Sequence, residues 1–359
     1  MTINKPEKFE SKILYEINDI LNIKLTERKF VSEMSYLERC FLNGIIRQTK
    51  PKKILELGVS AGGSSAIILN AIKDFDNSKL YSIDYNTKLY YDNSKNTGFI
   101  IDEKFSHLKN NWKLYTEGMA AKYMEEIGGE IDLCLIDTVH CNPGEFLDFL
   151  IVLPYLKKNA VLILHDIALH HNNNKLAITN GILFSCLRGK KLSFNEGFWN
   201  KYANIGAVIL DENIMDSISD YIYLLTLPWE YLPSDNDIWE YQKLFSKNYE
   251  TEFVDTFMNI MLKNKQLFIE GKNTEVSNIN SDMYNEINSI KIKYNNLEKG
   301  LGSIINSYNN LVNNLAWWIP IRKWRDNFRN KFFDKFIGGG VNNGFKFLYP
   351  LRFKLDLNY

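Results

Sequence analysis

A chain of 359 residues that is 45% hydrophobic has ample material for a buried core, and its formal net charge of zero is unevenly spread: residues 317–359 carry nine Lys/Arg against three Asp/Glu, which leaves 34 against 40 over residues 1–316. Its four cysteines, Cys40, Cys134, Cys141 and Cys186, lack C-x-x-C spacing, and Cys134 falls in an apolar strand pattern, so neither a disulfide framework nor a zinc site is favoured. The polar stretch Met1–Lys12 is no signal peptide, and Phe146–Leu156 is far shorter than the ~20 residues of a membrane span, so a cytoplasmic protein with reduced thiols is expected.

Two helical patterns open the chain, Lys8–Leu21 and Tyr36–Gln48, and form a predicted cap over residues 1–50. From Pro51 short β-rich runs alternate with helices: Lys53–Leu57, Leu80–Asp84, Trp112–Tyr115, Ile131–Asp137, Ala160–Leu164 and Ala203–Leu210. Strands that are continuously apolar and separated by helices predict an α/β fold, a Rossmann-like, doubly wound, mainly parallel seven-stranded sheet over residues 51–270. The seventh strand has no clear place in the pattern, since Met215–Phe268 reads as helix interrupted at Leu227–Pro233. Residues 271–316 carry apolar residues in a four-three rhythm from Val276 through Ile304, Tyr308 and Leu311 to Leu315, the signature of a coiled-coil helix. Residues 317–359 form a basic aromatic tail in which Trp324, Phe328, Phe332 and Phe336 recur every four residues. The expected whole is an α/β body with N-terminal helices and a C-terminal helical, coiled-coil extension.

The chemistry gathers at predicted strand ends. The first strand runs into Glu56-Leu-Gly58-Val-Ser60-Ala-Gly62-Gly63-Ser64-Ser65 and then an apolar helix, where glycines let backbone approach a ligand beside a helix N-terminus. The loop lacks the Lys-Ser/Thr of a P-loop, and Ser60 stands where G-x-G-x-x-G has its middle glycine, so phosphate is not the obvious ligand. Glu56 suits a ligand with a cationic amino-acid end, and Asp84, closing the second strand, can accept ribose hydroxyls, although it could equally be a turn or N-cap residue. After the fourth strand Asp137-Thr-Val-His140 pairs an acid with an imidazole, and His165-Asp166 does so after the fifth. Both strand ends should open on one crevice, where two acids and two histidines could hold a hard divalent cation through Asp137 and Asp166, or supply a base. The neighbouring His170 and His171 read as solvated loop residues.

With these motifs the segment from about Ser35 to Asp211 resembles the class I S-adenosylmethionine-dependent methyltransferases, and within them the branch of macrocin-type sugar O-methyltransferases and cephalosporin-hydroxylase-like proteins. The resemblance implies that Glu56, Gly58, Ser60, Gly62 and Ser64 serve the cofactor's amino-acid end and Asp84 its ribose. It implies a Mg2+-type site at Asp137 and Asp166, with His165 the candidate third ligand because Ile167 replaces the Asn or acid of catechol-type enzymes, and it makes His140 the general base acting with Asp137. The expected reaction is methyl transfer from S-adenosylmethionine to a hydroxyl of a sugar or glycan precursor. Alternatives on the same scaffold are an oxygen-dependent or NAD-dependent enzyme, or a non-catalytic membrane-associated scaffold.

The heptad stretch predicts a homodimer, and the basic aromatic helix after Trp317 and Trp318 predicts peripheral contact with the inner membrane, as at the carboxyl ends of enzymes that build surface polysaccharides. Nucleic acid is not an expected partner, because the aromatic residues cluster on one apolar face and the body is mildly acidic.

Overall fold

A computed structural model describes residues 2–171, 177–194 and 202–270 together with helical residues between 300 and 331. The chain divides into two compact units, 1–271 and 272–359. Within the first, strands are β1 (Lys53–Leu57), β2 (Lys79–Ile83), β3 (Lys88–Leu89), β4 (Asp92–Asn96), β5 (Trp112–Tyr115), β6 (Ile131–Ile136), β7 (Leu156–His165), β8 (Gly189–Leu192) and β9 (Ile205–Leu210). Helices are α1 (Tyr15–Leu21), α2 (Tyr36–Thr49), α3 (Gly63–Ile72), α4 (Phe99–Lys104), α5 (Ala120–Ile127), α6 (Gly144–Val152), α7 (Thr179–Cys186), α8 (Ile218–Ile222) and α9 (Asp235–Asn248), followed by a helix over 251–270.

Seven strands form one sheet in the order β5-β2-β1-β6-β7-β9-β8, parallel from β5 to β7, with β9 antiparallel to both β7 and β8. The strand missing from the sequence pattern is β8, which lies upstream of β9 rather than in the helical stretch after Met215. Its sequence, Gly-Lys-Lys-Leu, is half charged and exposed because it sits at the sheet edge, so it shows no apolar run. A hairpin of β3 and β4 is inserted after β2 and was not foreseen.

The sheet is buried on both faces, as continuously apolar strands require. Alternate residues of β6 serve opposite cores: Cys134 and Ile136 pack with α5, α6, α9 and the 251–270 helix, whereas Leu133 and Leu135 pack with α1 to α4. The predicted first helix is broken up. Only Tyr15–Leu21 is α-helical, preceded by 3-10 turns at Pro6–Lys8 and Ser11–Leu14. The second begins where Ser35-x-x-Glu38 forms a capping box, Ser35 Oγ accepting from Glu38 N–H at 3.4 Å and Glu38 Oε2 from Ser35 N–H at 2.5 Å. The buried Arg39 ties the cap together. Its guanidinium donates to the carbonyls of Met34 and Ser32 and to the side chains of Asn22 and Asn18, so residues 18–34 are held against α2.

Of the predicted coiled coil, positions 276–299 and 301 lie outside the described residues, as do Trp317, Trp318, Phe332 and Phe336 of the tail. Ile304, Tyr308, Leu311 and Leu315 are helical, and Ile304, Leu311 and Leu315 are each more than half exposed.

Asp132, at the start of β6, ties three strands together: Oδ2 accepts from the N–H groups of Lys52 and Lys53 at 2.9 Å and Oδ1 takes the Lys157 ammonium at 2.8 Å. Burial works against its charge, but Lys157 and the two backbone donors outweigh it and hold the carboxyl below its usual range. The interaction therefore stabilises the fold above the pKa of an unfolded aspartate and is lost as pH falls through the folded value. Asp132→Ala should cost about 2 kcal/mol in urea unfolding near pH 7, with the difference from wild type shrinking towards zero below about pH 3.5.

Candidate functional site

The carboxyl ends of β1, β2, β6 and β7 open on a crevice of about 1070 Å³. Its floor is fixed by backbone. Asp137 N–H donates to the Leu57 carbonyl, Gly58 N–H to that of Ile83 and Asp84 N–H to that of Tyr115, so hydrogen bonding continues one residue past each strand. Gly58 has φ +87°, and a Cβ there would lie 1.8 Å from the Asp137 carbonyl oxygen; no other residue type fits between these strand ends. Ser60, also left-handed at φ +51°, takes the place of a middle glycine.

Gly58, Ser60, Ser64 and Asp84 all line the crevice. Asp84 does more than close β2: its Oδ2 accepts from the N–H groups of Val59 and Ser60 at 2.9 and 3.0 Å, and Oδ1 from Asn86 N–H at 2.9 Å, so it also shapes the glycine loop. Glu56 and Gly62 are not on the crevice wall. Glu56 is wholly buried, and a single oxygen, Oε2, accepts from both Ser65 and Ser82 at 2.6 Å. Its part is to brace the loop from beneath, because the strand alternation that turns Leu55 and Leu57 to one face turns Glu56 to the other. Burial outweighs the serine hydrogen bonds and pushes its carboxyl up to about 7.

Beyond the loop, Asp137, His140 and Asp166 converge, each offering one ligand atom within 4.8 Å of the others. His140 Nε2 lies 3.0 Å from Asp166 Oδ2 and 3.7 Å from Asp137 Oδ1. Both His140 and Asp166 are left-handed, at φ 57° and 56°, a conformation that costs a non-glycine residue about 1 kcal/mol and is held by the surrounding bonds. Glu145 supplies one such hold: its buried Oε1 accepts from the His140 N–H and faces Nδ1 at 3.4 Å. Asn204 supplies another, donating to Asp166 Oδ1 at 2.5 Å while accepting from Ala168 N–H.

His165 takes a different place from the one expected of a third ligand. Its side chain is 7% exposed and stands behind the cluster, with Nδ1 3.2 Å from Asp137 Oδ1 and Nε2 3.7 Å from Oε1 of Glu38, the capping-box residue of α2. Its Nδ1 also lies 3.5 Å from Asp166 Oδ2, and among the described residues the three groups close enough to share an ion are Asp137, His140 and Asp166. His170 and His171 form a short turn at Leu169–His171, with His171 stacked on Tyr202, and neither lines the crevice. Trp229 is core, its Nε1 bonded to the Leu225 carbonyl, and Trp199 lies outside the described residues.

Charges in the cluster are interdependent. Burial disfavours protonated imidazole, yet the Glu145 carboxylate that faces Nδ1 and the charges of Asp137 and Asp166 outweigh it and push His140 up to about 9. His165 is raised for the same reason by Asp166 and Asp137, and Asp166 is in turn held well below the carboxylate range by His165, His140 and Asn204 against the effect of burial. Two positive rings thus balance acids that would otherwise repel one another. Glu38, Glu145 and Asn204 were not singled out from the sequence; Glu38 carries a local signal as the fourth residue of a Ser-x-x-Glu capping box and Glu145 as the first-turn acid of α6, while Asn204 carries none.

Residues 55–167 match a family model described as a methyltransferase domain, a span that begins in β1 and ends one residue after Asp166. No curated protein matches the chain. Similar solved structures include a methyltransferase from Geobacter sulfurreducens (17% identity, 56% of this chain and 88% of that one, TM-score 0.38) and an S-adenosylhomocysteine-bound O-methyltransferase from Bacillus cereus (14%, 55% and 90%, 0.40). Another is the O-methyltransferase TomG of Streptomyces achromogenes (12%, 58% and 99%, 0.40). The matched residues 55–167 supply the glycine loop, Asp84 and the Asp137–His140–Asp166 cluster, while residues 29–38, Leu169, Asn204 and residues between 231 and 241, all outside the match, complete the crevice wall.

Because the Glu56 carboxyl is raised, its ionisation opposes folding as pH rises through about 7. Glu56→Gln should therefore be more stable than wild type by about 2 kcal/mol at pH 8.5 and should show no gain at pH 5, measured by thermal or urea unfolding.

Proposed function

We propose that this protein transfers the methyl group of S-adenosylmethionine to a hydroxyl of a sugar or glycan precursor. The observation that carries this reading is the meeting, within the matched residues, of the Asp84-tethered glycine loop and the Asp137–His140–Asp166 cluster in one crevice. Gly58, Ser60 and Ser64 receive the cofactor's amino-acid end and Asp84 its ribose, while Glu56 holds the loop. The bound cofactor supplies an electrophilic methyl on a positively charged sulfur.

A neutral hydroxyl is a poor nucleophile, so the acceptor proton must leave as the methyl is attacked. The acids around His140 favour its protonated form, which disfavours it as a base. A divalent cation held by Asp137, His140 and Asp166 would lower the acceptor's pKa and replace the positive charge that the imidazole proton now provides. If His140 acts as the base instead, Nε2 must first lose its proton and then takes the acceptor's, with Asp166 at 3.0 Å stabilising the imidazolium that results. One nitrogen does one of these jobs, and metal dependence decides which. Either way His165 holds Asp137 in line.

A sugar acceptor is supported by the aromatic rim. Phe30, Tyr85 and Tyr90 line the crevice and are 42%, 55% and 59% exposed, offering ring faces to the C–H surface of a sugar. On this reading the enzyme works in the cytoplasm as a homodimer joined through the heptad stretch, and its basic aromatic tail rests on the inner membrane. The exposed Ile304, Leu311 and Leu315 support such a seam, and among the described residues no helix is long and apolar enough to cross a membrane.

Calorimetry on the purified chain should show S-adenosylhomocysteine binding that weakens at least tenfold in Asp84→Ala, with NAD failing to compete; preference for NAD would sink the reading. Asp137→Asn should abolish calorimetric Mn2+ binding and methyl transfer while leaving S-adenosylhomocysteine affinity within about threefold of wild type. Unchanged methyl transfer after exhaustive chelation would remove the metal and leave His140 as the base.

A further inference from the structure

Two lysines stand in the crevice wall that the chemistry above does not use. Among the described residues lining it, Lys29 and Lys88 are the only lysines or arginines, and every other ionisable acid or base there is a carboxylate or an imidazole. They arrive from separate elements. Lys29 belongs to the cap, next to the Lys24–Phe30 bridge, and Lys88 opens β3 of the inserted hairpin. Lys88 and Tyr90 are exposed and Leu89 between them is buried, which puts Lys88 and Tyr90 on one face of the hairpin. Lys29 Nζ lies 5.3 Å from the centre of the Tyr90 ring, so this exposed ring is the neighbour both lysines share. The hairpin is fixed to the cofactor loop: Gly98 N–H donates to the Ser60 carbonyl at 2.8 Å, Thr97 Oγ1 to the Asn86 carbonyl at 2.6 Å, and Asn86 N–H to Asp84 Oδ1 at 2.9 Å.

Neither ammonium neutralises the acids at the strand ends. Asp84, Asp137, Asp148 and Asp166 meet backbone amides, imidazoles, the Thr138 hydroxyl and the Asn204 amide, and no lysine among the described residues. Lys29 instead pairs with Glu33 of its own segment at 2.8 Å, and Lys88 donates to the neutral Asn96 at 2.7 Å. Burial works against the charge on Lys29, but Glu33 and the Tyr90 hydroxyl outweigh it and hold the ammonium above its usual range. An ammonium has three protons, so both lysines can donate further. The wall thus divides by sign, with acids at the strand ends for a sulfonium or metal cation and ammonium groups beside exposed rings on the cap and hairpin side. A ligand that matches it carries negative charge away from its reacting hydroxyl. Two ammonium groups beside one ring suit the several oxygens and multiple charge of a phosphate ester better than a lone carboxylate.

We propose that Lys29 and Lys88 bind a phosphoryl group of the acceptor, whose sugar ring lies on Phe30 and Tyr90, so that the substrate is a phosphorylated sugar and not a free one. This rests on the methyl-transfer reading made above. A sugar monophosphate and a nucleoside diphosphate sugar present the same group to the lysines.

The test is calorimetry of the full chain saturated with S-adenosylhomocysteine, titrated at low ionic strength with glucose, glucose 1-phosphate and inorganic pyrophosphate. A chelator keeps phosphate from binding through a metal at the Asp137 cluster. The phosphorylated probes should bind at least about tenfold more tightly than glucose and weaken as salt is added. Tighter binding of pyrophosphate points to a nucleoside diphosphate sugar, and tighter binding of glucose 1-phosphate to a monophosphate. Lys29→Gln and Lys88→Gln should each weaken phosphate binding at least about fivefold, with Lys88→Arg within about twofold of wild type and S-adenosylhomocysteine affinity unchanged in all three. Lys95→Gln, on the same hairpin but off the crevice wall, should bind as wild type does. Phosphorylated probes that bind no better than glucose, or an equal loss in Lys95→Gln and Lys88→Gln, would overturn the proposal while leaving the cofactor in place. Glucuronate binding more tightly than either phosphorylated probe would replace the phosphate with a carboxylate and overturn it too. Failure of S-adenosylhomocysteine to bind would overturn both readings. The wild-type comparison of probes needs no variant, so it decides the phosphate preference even where a variant fails to fold.

Discussion

The site depends on the close approach of two strand ends. Gly58 and Asp137 meet with no room for a single extra carbon, and the ladder bonds of β1 to β2 and β6 to β1 extend into that contact. Opening it would move the glycine loop away from the acids. Keeping it shut puts Asp137 where His165 and His140 can reach it and leaves the loop's amide groups for Asp84 to gather. A sheet of parallel strands supplies this for a general reason: its strand ends all emerge on one edge, so residues far apart in sequence share a rim.

Upon that rim the structure sets more acid than water-free surroundings ordinarily tolerate. Glu38, Asp84, Asp137, Asp148 and Asp166 all face the crevice, and Glu145 lies just behind it. The two imidazoles, protonated between them, make the arrangement stable without a ligand, and the same acids attract a sulfonium or a metal cation when one arrives. His140 and Asp166 pay a backbone cost for their positions, and the bonds from Glu145 and Asn204 offset it.

Elements outside the matched span finish the crevice on two sides. On one, Arg39 holds residues 18–34 against α2, whose capping glutamate reaches His165. On the other, the segment around Tyr231 and the start of α9 cover the pocket beside Asp84. Additions at both ends of the domain, not the sheet itself, therefore shape what the crevice admits.

Much of this was written in local patterns. Continuous apolar runs marked six strands, because burial on both faces leaves no polar alternation, and the Glu-x-Gly loop, Asp84, Asp137-x-x-His140 and His165-Asp166 stood out as polar residues where those runs stop. What the sequence could not supply is direction and company. Edge strand β8 escaped because its side chains meet solvent; Glu56 pointed inward because strand alternation, counted from Leu55, turned it from the crevice; and only packing sets His140 Nε2 3.0 Å from Asp166 and His165 Nδ1 3.2 Å from Asp137. Glu145, Asn204 and Asp148 joined the site through contacts spanning different elements, and such contacts exist only once the chain has closed on itself.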